Sequence, residues 1–84
     1  MTGQTKVFYE LMLSYLIKDE FIILSDSKYN KFTKDDLILK MGYEMSYINT
    51  MLLKLRGCKM VDNCTVMHKG KSNIYVRLLK GVLW

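Results

Sequence analysis

The chain has 84 residues, of which half are apolar and a quarter are charged. This length suffices for one small domain with a single core, and the composition excludes a disordered segment. The net charge is +5 and is unevenly placed, because residues 1–44 sum to −1 and residues 45–84 sum to +6. A basic second half favours a face for a polyanion, although charge alone fits an unpartnered, solvated surface equally well.

The apolar N-terminal region from Val7 to Leu24 does not predict a membrane span. A bilayer needs about 18 or more nearly uncharged apolar residues. This region is interrupted at Glu10, Ser14, Lys18, Asp19 and Glu20. The N-terminus also lacks the charged start, apolar middle and cleavage site of a signal peptide. We therefore expect no membrane association and a cytoplasmic protein.

The first predicted element is a helix from Thr5 to about Lys18, composed mostly of strong helix formers and bulky apolar residues. It has no clean polar face, whereas a single buried stripe would need fewer apolar positions. In a domain this small we expect its second apolar side, and the apolar tail, to meet a second copy of the chain. A helix wrapped by its own domain is the alternative. The expected dimer-interface residues are Phe8, Met12, Tyr15, Leu16 and Trp84.

The segment after this helix is ambiguous. Phe21 to Leu24 is short and apolar, and it fits either an extension of the first helix or a strand. Ser25 to Lys31 is polar and predicts a loop. A second helix follows, where Thr33 and Asp36 resemble a capping box and Gly42 suits the left-handed position that ends a helix. The expected buried residues of this helix are Leu37, Ile38 and Met41.

A third helix is predicted from about Met45 to Arg56, with Gly57 as its stop. One side has the apolar spacing of a core stripe, formed by Ile48, Met51, Leu52 and Leu55. The other side carries the polar residues Ser46, Tyr47, Asn49, Thr50 and Lys54. Leu53 lies in the middle of this polar side. It could contact a thymine methyl group, lie beneath neighbouring side chains or mark a protein interface.

The last third of the chain predicts a β-hairpin. Its first strand runs from Met60 to His68, and its second runs from Asn73 to Leu79 with alternating faces. The connection from Lys69 to Ser72 contains a glycine and fits a four-residue hairpin turn. The hairpin therefore places lysines at its tip.

From Thr33 to Leu78 the chain resembles the winged helix-turn-helix family of DNA-binding proteins. The resemblance is carried by apolar spacing and glycines, at Thr33, Leu37, Gly42, Ile48, Leu52, Leu55, Met60, Val61, Gly70 and Tyr75 to Leu78. Glu44 and Lys59 depart from the family pattern, in which a Ser or Thr cap and a Gly are common at these positions. The resemblance implies an α+β, mostly α fold with three helices and a C-terminal β-hairpin wing.

The same resemblance implies one winged-helix domain over residues 1–84. Within it, residues 1–24 would form an N-terminal helix for dimerisation, residues 33–56 the helix-turn-helix, and residues 59–79 the wing. The implied function is sequence-specific binding of double-stranded DNA by a small dimeric transcriptional regulator of repressor type. A two-fold dimer of this kind predicts an inverted-repeat site.

The DNA contacts are expected on the third helix and the wing, because an α-helix fits the major groove and reads bases with its solvent side. The helix residues expected to contact DNA are Ser46, Tyr47, Asn49, Thr50 and Lys54. The wing residues expected on the DNA backbone are His68, Lys69, Lys71 and Ser72. Each of these positions could instead be solvated without a ligand.

Two other classes of function are weighed against DNA binding. Catalysis and a metal site are disfavoured, because His68 is the only histidine, Cys58 and Cys64 do not form a metal-ligand motif, and the glycines are too scattered for a phosphate loop. We therefore expect no enzyme activity, no metal and no cofactor. The alternative function is a protein-interaction module of the same fold, for example a phage or plasmid protein that binds a host protein.

Overall fold

The computed structural model describes residues 3–79, of which 43% are helical and 40% are in strands. The three helices are α1 (Gly3–Ser14), α2 (Lys34–Met41) and α3 (Met45–Gly57). The four strands are β1 (Leu16–Leu24), β2 (Ser27–Phe32), β3 (Val61–His68) and β4 (Lys71–Leu78). The predictions of α2, α3 and a hairpin formed by β3 and β4 are confirmed, with small shifts at the ends of the elements.

All four strands form one antiparallel sheet in the order β1-β2-β4-β3. β1 and β2 form one hairpin and β3 and β4 form another, and the hairpins are joined where Asn30 to Phe32 pair with Ile74 to Val76. This corrects the predicted fold class. The protein is not mostly helical, and its strands lie both before and after α2 and α3 instead of forming only a C-terminal wing. The predicted winged helix-turn-helix fold is therefore wrong.

The first hairpin is the part of the fold that the sequence analysis missed. Phe21 to Leu24 belongs to β1, since β-branched and aromatic residues favour a strand over a longer helix. Ser25 and Asp26 have φ angles of 49° and 62°, which form a tight turn of type I′ without the usual Asn or Gly. The predicted loop from Ser25 to Lys31 is wrong as well, because most of it lies in β2, where Tyr29 is buried.

The core lies between the helices and the sheet. Phe8 and Met12 of α1 are 1% and 0% exposed, and the ring of Phe8 meets that of Phe32 edge to face with 6.4 Å between centroids. The rest of the buried cluster consists of Leu37, Ile48, Met51, Leu52, Leu55, Met60, Val61, Ile74 and Val76. This confirms the predicted core stripe of α3.

The same packing corrects the predicted dimer interface. Phe8 and Met12 lie inside the chain's own core and offer no surface to a second chain. Tyr15 and Leu16 are partly exposed, yet they too pack against the core cluster. Trp84 lies outside the described residues. The alternative prediction, in which its own domain covers the helix, fits the side of α1 that carries Phe8 and Met12, while Val7 and Leu13 remain exposed.

The start and end of α2 differ in how well they were predicted. The capping box is wrong, because the Thr33 hydroxyl and N–H both donate to the carbonyl of Tyr15, at 2.7 and 2.8 Å. Gly42 confirms the predicted helix end, with a φ of 69° and an N–H that donates to Ile38 O at 2.8 Å. Of the three residues expected to be buried, Leu37 is buried, Ile38 is half-buried and Met41 is 44% exposed.

The chain leaves α3 through a Schellman turn centred on Lys59, not at Gly57. Lys59 has a φ of 58°, and its N–H donates to Arg56 O at 3.0 Å. The N–H of Met60 donates to Leu55 O at 2.9 Å, and both of these side chains are buried in the core. This pair of hydrogen bonds and the apolar contact define the motif. It turns the chain directly into β3.

Candidate nucleic-acid interface

The candidate interface is the outer face of α3, which we define as Ser46, Asn49, Thr50, Leu53, Lys54 and Arg56. All six residues are exposed, on the side of α3 away from the core residues Ile48, Met51, Leu52 and Leu55. A helix that is anchored along one stripe and polar on the other can enter a groove without losing its packing. The helix period predicted the outward position of Ser46, Asn49, Thr50, Leu53 and Lys54, with the role of Leu53 left open. Arg56 was expected to contact phosphate together with Lys54.

Tyr47 departs from the expected arrangement because it faces sideways toward α1. It is half-buried, its ring centroid lies 4.9 Å from that of Tyr43, and it meets Phe8 edge to face at 6.4 Å. These contacts hold the start of α3 against α1 and the α2–α3 turn. Tyr47 therefore helps to fix the orientation of α3, and only part of its ring faces solvent.

The hydroxyl group of Thr50 is already engaged within the helix. Thr50 Oγ1 donates to the carbonyl oxygen of Ser46, one turn earlier, at 2.8 Å. A hydroxyl whose proton is used in this way can still accept a hydrogen bond from a ligand. Thr50 is therefore suited to contact a donor, such as a base amino group, rather than a phosphate oxygen.

A shallow groove runs between the outer face of α3 and strand β3. It is lined by Asn49, Leu52, Leu53, Arg56 and Asn63. Asn49, Leu53 and Arg56 follow one another at intervals of four and three residues, so they form a row along one side of the helix. Asn63 Oδ1 is buried and has no hydrogen-bond partner within residues 3–79. The groove thus combines an exposed amide, an apolar side chain and a guanidinium group.

The β3–β4 turn supplies the second basic element. Lys69 and Gly70 form a two-residue turn with φ angles of 51° and 78°, and His68 pairs with Lys71 on either side of it. The connection is therefore shorter than the predicted four residues. His68, Lys69 and Lys71 are all exposed and free to approach a phosphate backbone.

Ser72 has a structural role that the sequence analysis did not predict. It is half-buried, and its carbonyl oxygen accepts a hydrogen bond of 2.8 Å from Lys34 Nζ. Lys34 is only 9% exposed and also lies 3.7 Å from the carboxylate of Asp35. This contact ties the second hairpin to the start of α2 and fixes where the basic turn lies relative to the helices.

The two ends of α3 carry charges of opposite sign. Glu44 immediately precedes the helix and is exposed, whereas the exposed pair Asp35 and Asp36 lies at the start of α2, close to Asn73 of β4. The positive groups Lys54 and Arg56 lie in the last turn, where the helix dipole also favours a cation. A polyanion would therefore be attracted most strongly to the middle and C-terminal half of α3.

The described residues contain no group of three or more His, Cys, Asp and Glu that could hold a metal ion. Burial, with a smaller effect of the Asp62 carboxylate, raises the pKa of the Cys64 thiol, so this cysteine is a poor nucleophile at neutral pH. Between residues 3 and 79, no helix is long and apolar enough to cross a membrane.

The comparisons with known proteins add no family to this description. No protein-family model matches the chain, and neither a curated protein nor a solved structure matches it.

Proposed function

We propose that this protein binds double-stranded DNA, with the outer face of α3 in the major groove and the β3–β4 turn on the neighbouring phosphate backbone. The observation that carries the proposal is the exposed row Asn49, Leu53 and Arg56 on a helix whose opposite side is fixed in the core. An α-helix fits the major groove, and its exposed side chains can reach the edges of the bases there. The role that follows is a small regulator of transcription acting in the cytoplasm of a prokaryotic cell.

Three residues of the candidate interface and two of the β3–β4 turn have the clearest chemical roles in this proposal. Asn49 can form two hydrogen bonds with an adenine, and Arg56 can form two with a guanine or bind a phosphate. Lys54 is positioned to contact the backbone. Lys69 and Lys71 in the β3–β4 turn contribute positive charge that does not depend on base sequence.

One observation favours a second candidate function, binding of a protein partner. Leu39 of α2 is 82% exposed and Leu53 of α3 is 66% exposed. Large apolar side chains at such exposure are typical of docking surfaces when they form a patch. DNA remains the better-supported ligand, since the polar and basic residues around Leu53 match a nucleic acid and would be desolvated at a cost against an apolar protein surface.

Binding of labelled random-sequence duplex, measured by fluorescence anisotropy across a salt series, tests the proposal. The protein should bind at about 50 mM salt and weaken with a steep log-log slope. Replacing Lys69 and Lys71 with Ala should weaken binding to all sequences about equally and reduce the slope by about 2. No binding at low salt would overturn the proposal.

The double substitution Lys18→Ala/Lys28→Ala is the matched control, because it removes the same net charge from the other hairpin. It should leave the salt slope nearly unchanged. If both double variants reduced the slope equally, the β3–β4 turn would have no special part in binding, and attraction to the overall charge would be sufficient.

A further inference from the structure

Strand β1 exposes an apolar segment at the edge of the sheet. Phe21, Ile23 and Leu24 are 47%, 57% and 43% exposed, and Ile22 between them is half-buried. β1 is the edge strand of the sheet formed by residues 3–79, with β2 as its one neighbour. An exposed, uninterrupted apolar edge strand is a template for pairing with another strand, and isolated proteins normally interrupt such an edge with charge or proline.

The opposite edge of the sheet is interrupted more often, since its exposed apolar run consists only of Val66 and Met67. β3 carries Asp62 and Asn63 near its start and His68 at its end, and α3 packs against it. β1 is interrupted only in its first half, where its pairing with β2 shifts register between Ile17 and Phe21. The four apolar residues that follow, Phe21 to Leu24, contain no charge or proline and pair regularly with β2, with Lys28 Nζ 4.4 Å from the centre of the Phe21 ring.

The geometry of the first hairpin fixes which backbone groups of β1 face outward. In a tight turn the carbonyl of the first residue accepts from the N–H of the fourth, so Leu24 and Ser27 form a hydrogen-bonded pair. Hydrogen-bonded and non-hydrogen-bonded pairs alternate along an antiparallel ladder. Phe21 and Ile23 therefore direct their N–H and C=O groups away from β2, toward whatever lies beside β1.

We propose that a second copy of this chain pairs with β1, strand against strand and antiparallel, about a two-fold axis that passes through Ile22. In this register Phe21 of each copy forms a hydrogen-bonded pair with Ile23 of the other. The two sheets would then form one eight-stranded antiparallel sheet. The interface is isologous, as expected for a two-fold dimer, and it places the expected homodimer on β1 instead of on α1.

The position of the two-fold axis follows from which residues it places opposite each other. A pair related by this axis brings Phe21 and Ile23 of both copies onto one face of the joined sheet, where they form a four-residue apolar cluster. Within the regular part of β1 the three central pairs are then all apolar, since Ile22 meets Ile22 and each Phe21 meets an Ile23. An axis through Ile23 would instead place Phe21 opposite Ser25, where the chain already turns into β2. An axis through Phe21 would place Asp19 and Glu20 opposite Ile23 and Ile22.

The occupant is a second copy because the segment matches itself in two respects. Its outward hydrogen-bonding groups and its apolar side chains are complementary under the same two-fold operation. The contact surface is one strand wide, smaller than the roughly 800 Å² per partner of standard stable interfaces. We therefore expect a dimer that dissociates in the micromolar range.

Sedimentation equilibrium of the full chain tests the pairing. Protein concentrations from about 1 to about 200 µM cover a dissociation constant in the micromolar range. The wild-type chain should shift from monomer to dimer within this range. Ile23→Lys places a charge in the joined sheet and should weaken association at least tenfold, as should Ile23→Pro, which removes an N–H that faces outward. Leu39→Lys, a matched change at an apolar residue that is exposed on α2, should leave association unchanged.

A disulfide cross-link tests the register directly. With Cys58 and Cys64 replaced by Ser, Ile22→Cys should form a dimer on mild oxidation, because residues paired at the axis have Cα atoms about 4.5 Å apart. Leu24→Cys should not, because the two cysteines would lie about four residues apart along the strand.

A wild-type chain that stays monomeric up to the highest concentration would overturn the proposal. So would a dimer that persists in Ile23→Lys and cross-links at neither cysteine, since its interface must then lie elsewhere. Circular dichroism of each variant separates loss of association from loss of folding. Neither measurement involves DNA, so the result is independent of the proposed function.

Discussion

The hydroxyl group of Tyr29 donates a hydrogen bond of 2.7 Å to Asp62 Oδ2, and this bond connects two strands that are not neighbours. Tyr29 lies on β2 and Asp62 on β3, with β4 between them. The tyrosine side chain therefore lies across β4, where Arg77 pairs with Asp62, and joins the two hairpins of the sheet. It is only 8% exposed although it lies on the sheet. This contact supports the region that holds α3 and the β3–β4 turn.

The Tyr29–Asp62 bond predicts a stability loss at alkaline pH. The hydrogen bond to Asp62, followed by burial and the negative charge of Asp62, raises the pKa of Tyr29 above its usual value of about 10, while Arg77 opposes the rise. Because the folded-state pKa is the higher one, the stabilisation is fully present below about pH 10 and is lost as the pH rises through the folded-state pKa. The effect should appear as a difference between wild type and Tyr29→Phe in urea unfolding from about pH 8 to pH 11.

The phenylalanine variant should be less stable than wild type at pH 8, and the gap should narrow above about pH 10. Lysines titrate in the same range, but they do so in both proteins and cancel in the difference. A gap that stays constant from pH 8 to pH 11 would show that Tyr29 does not lose this bond by ionisation.

The Schellman turn at the end of α3 predicts a stabilising substitution. A left-handed conformation costs a residue other than Gly roughly 1 to 2 kcal/mol, and Lys59 adopts it with a φ of 58°. Lys59→Gly removes this cost but adds freedom to the unfolded chain, so we expect a net gain of about 0.5 to 1 kcal/mol. The free energy of urea unfolding measures it.

The control for this change is Lys54→Gly, which loses the same side chain inside α3. There a glycine lowers helix stability, so a loss of about 0.7 kcal/mol is expected. Equal losses for both variants would mean that Lys59 is not strained, or that its side chain contributes more than its position suggests.

The irregular part of the first hairpin predicts a third effect on stability. The side-chain amide of Asn30 donates to the carbonyl oxygens of Ile17 and Lys18, at 3.0 and 3.2 Å, where the pairing of β1 with β2 shifts register. Asn30→Asp keeps the shape but places an anion against two acceptors, and should cost about 2 kcal/mol at pH 7.

Acidification distinguishes this explanation from a general loss of packing. Near pH 3 the new carboxyl group is protonated and can donate one hydrogen bond, so the deficit of Asn30→Asp relative to wild type should shrink. Asn30→Ala loses the bonds without gaining a charge, and its deficit of about 1 kcal/mol should not change between pH 7 and pH 3. Identical pH profiles for the two variants would contradict the proposed contacts.

The parts of the fold that the sequence predicts are those with a periodic apolar pattern. The core stripe of α3 repeats at helical spacing, and Gly42 marks a backbone conformation that other residues rarely adopt. The hairpin of β1 and β2 has neither signal. Its turn uses Ser25 and Asp26 with positive φ, and the irregularity after Ile17 breaks the alternation of β1. Tertiary pairing with β4 determines this hairpin, and local sequence does not encode that pairing.

In the candidate site, too, the sequence predicts what the helix period determines and does not predict contacts between distant segments. The outward direction of Asn49 and Thr50 follows from the helix period alone. The sideways position of Tyr47 does not, because it depends on where Tyr43 and Phe8 lie in space. Ser72 is another such case, since its bond to Lys34 joins residues that are 38 positions apart. Contacts between distant segments decide which exposed-looking residues remain free to bind a ligand.

Leu53 provides the sharpest test of how α3 would contact DNA. It is 66% exposed and lies one turn after Asn49 in the groove beside β3. If Asn49 pairs with an adenine, an apolar side chain one turn further along can contact the methyl group of a nearby thymine. In a site selected from random duplex, replacing that thymine with deoxyuridine removes only the methyl group. It should weaken binding roughly fourfold, since the burial of one such group is worth about 0.8 kcal/mol. In Leu53→Ala the same replacement should have almost no effect. An equal loss in both proteins would show that the methyl group is not contacted by Leu53, while salt-dependent binding of DNA by either protein would still support the proposed function.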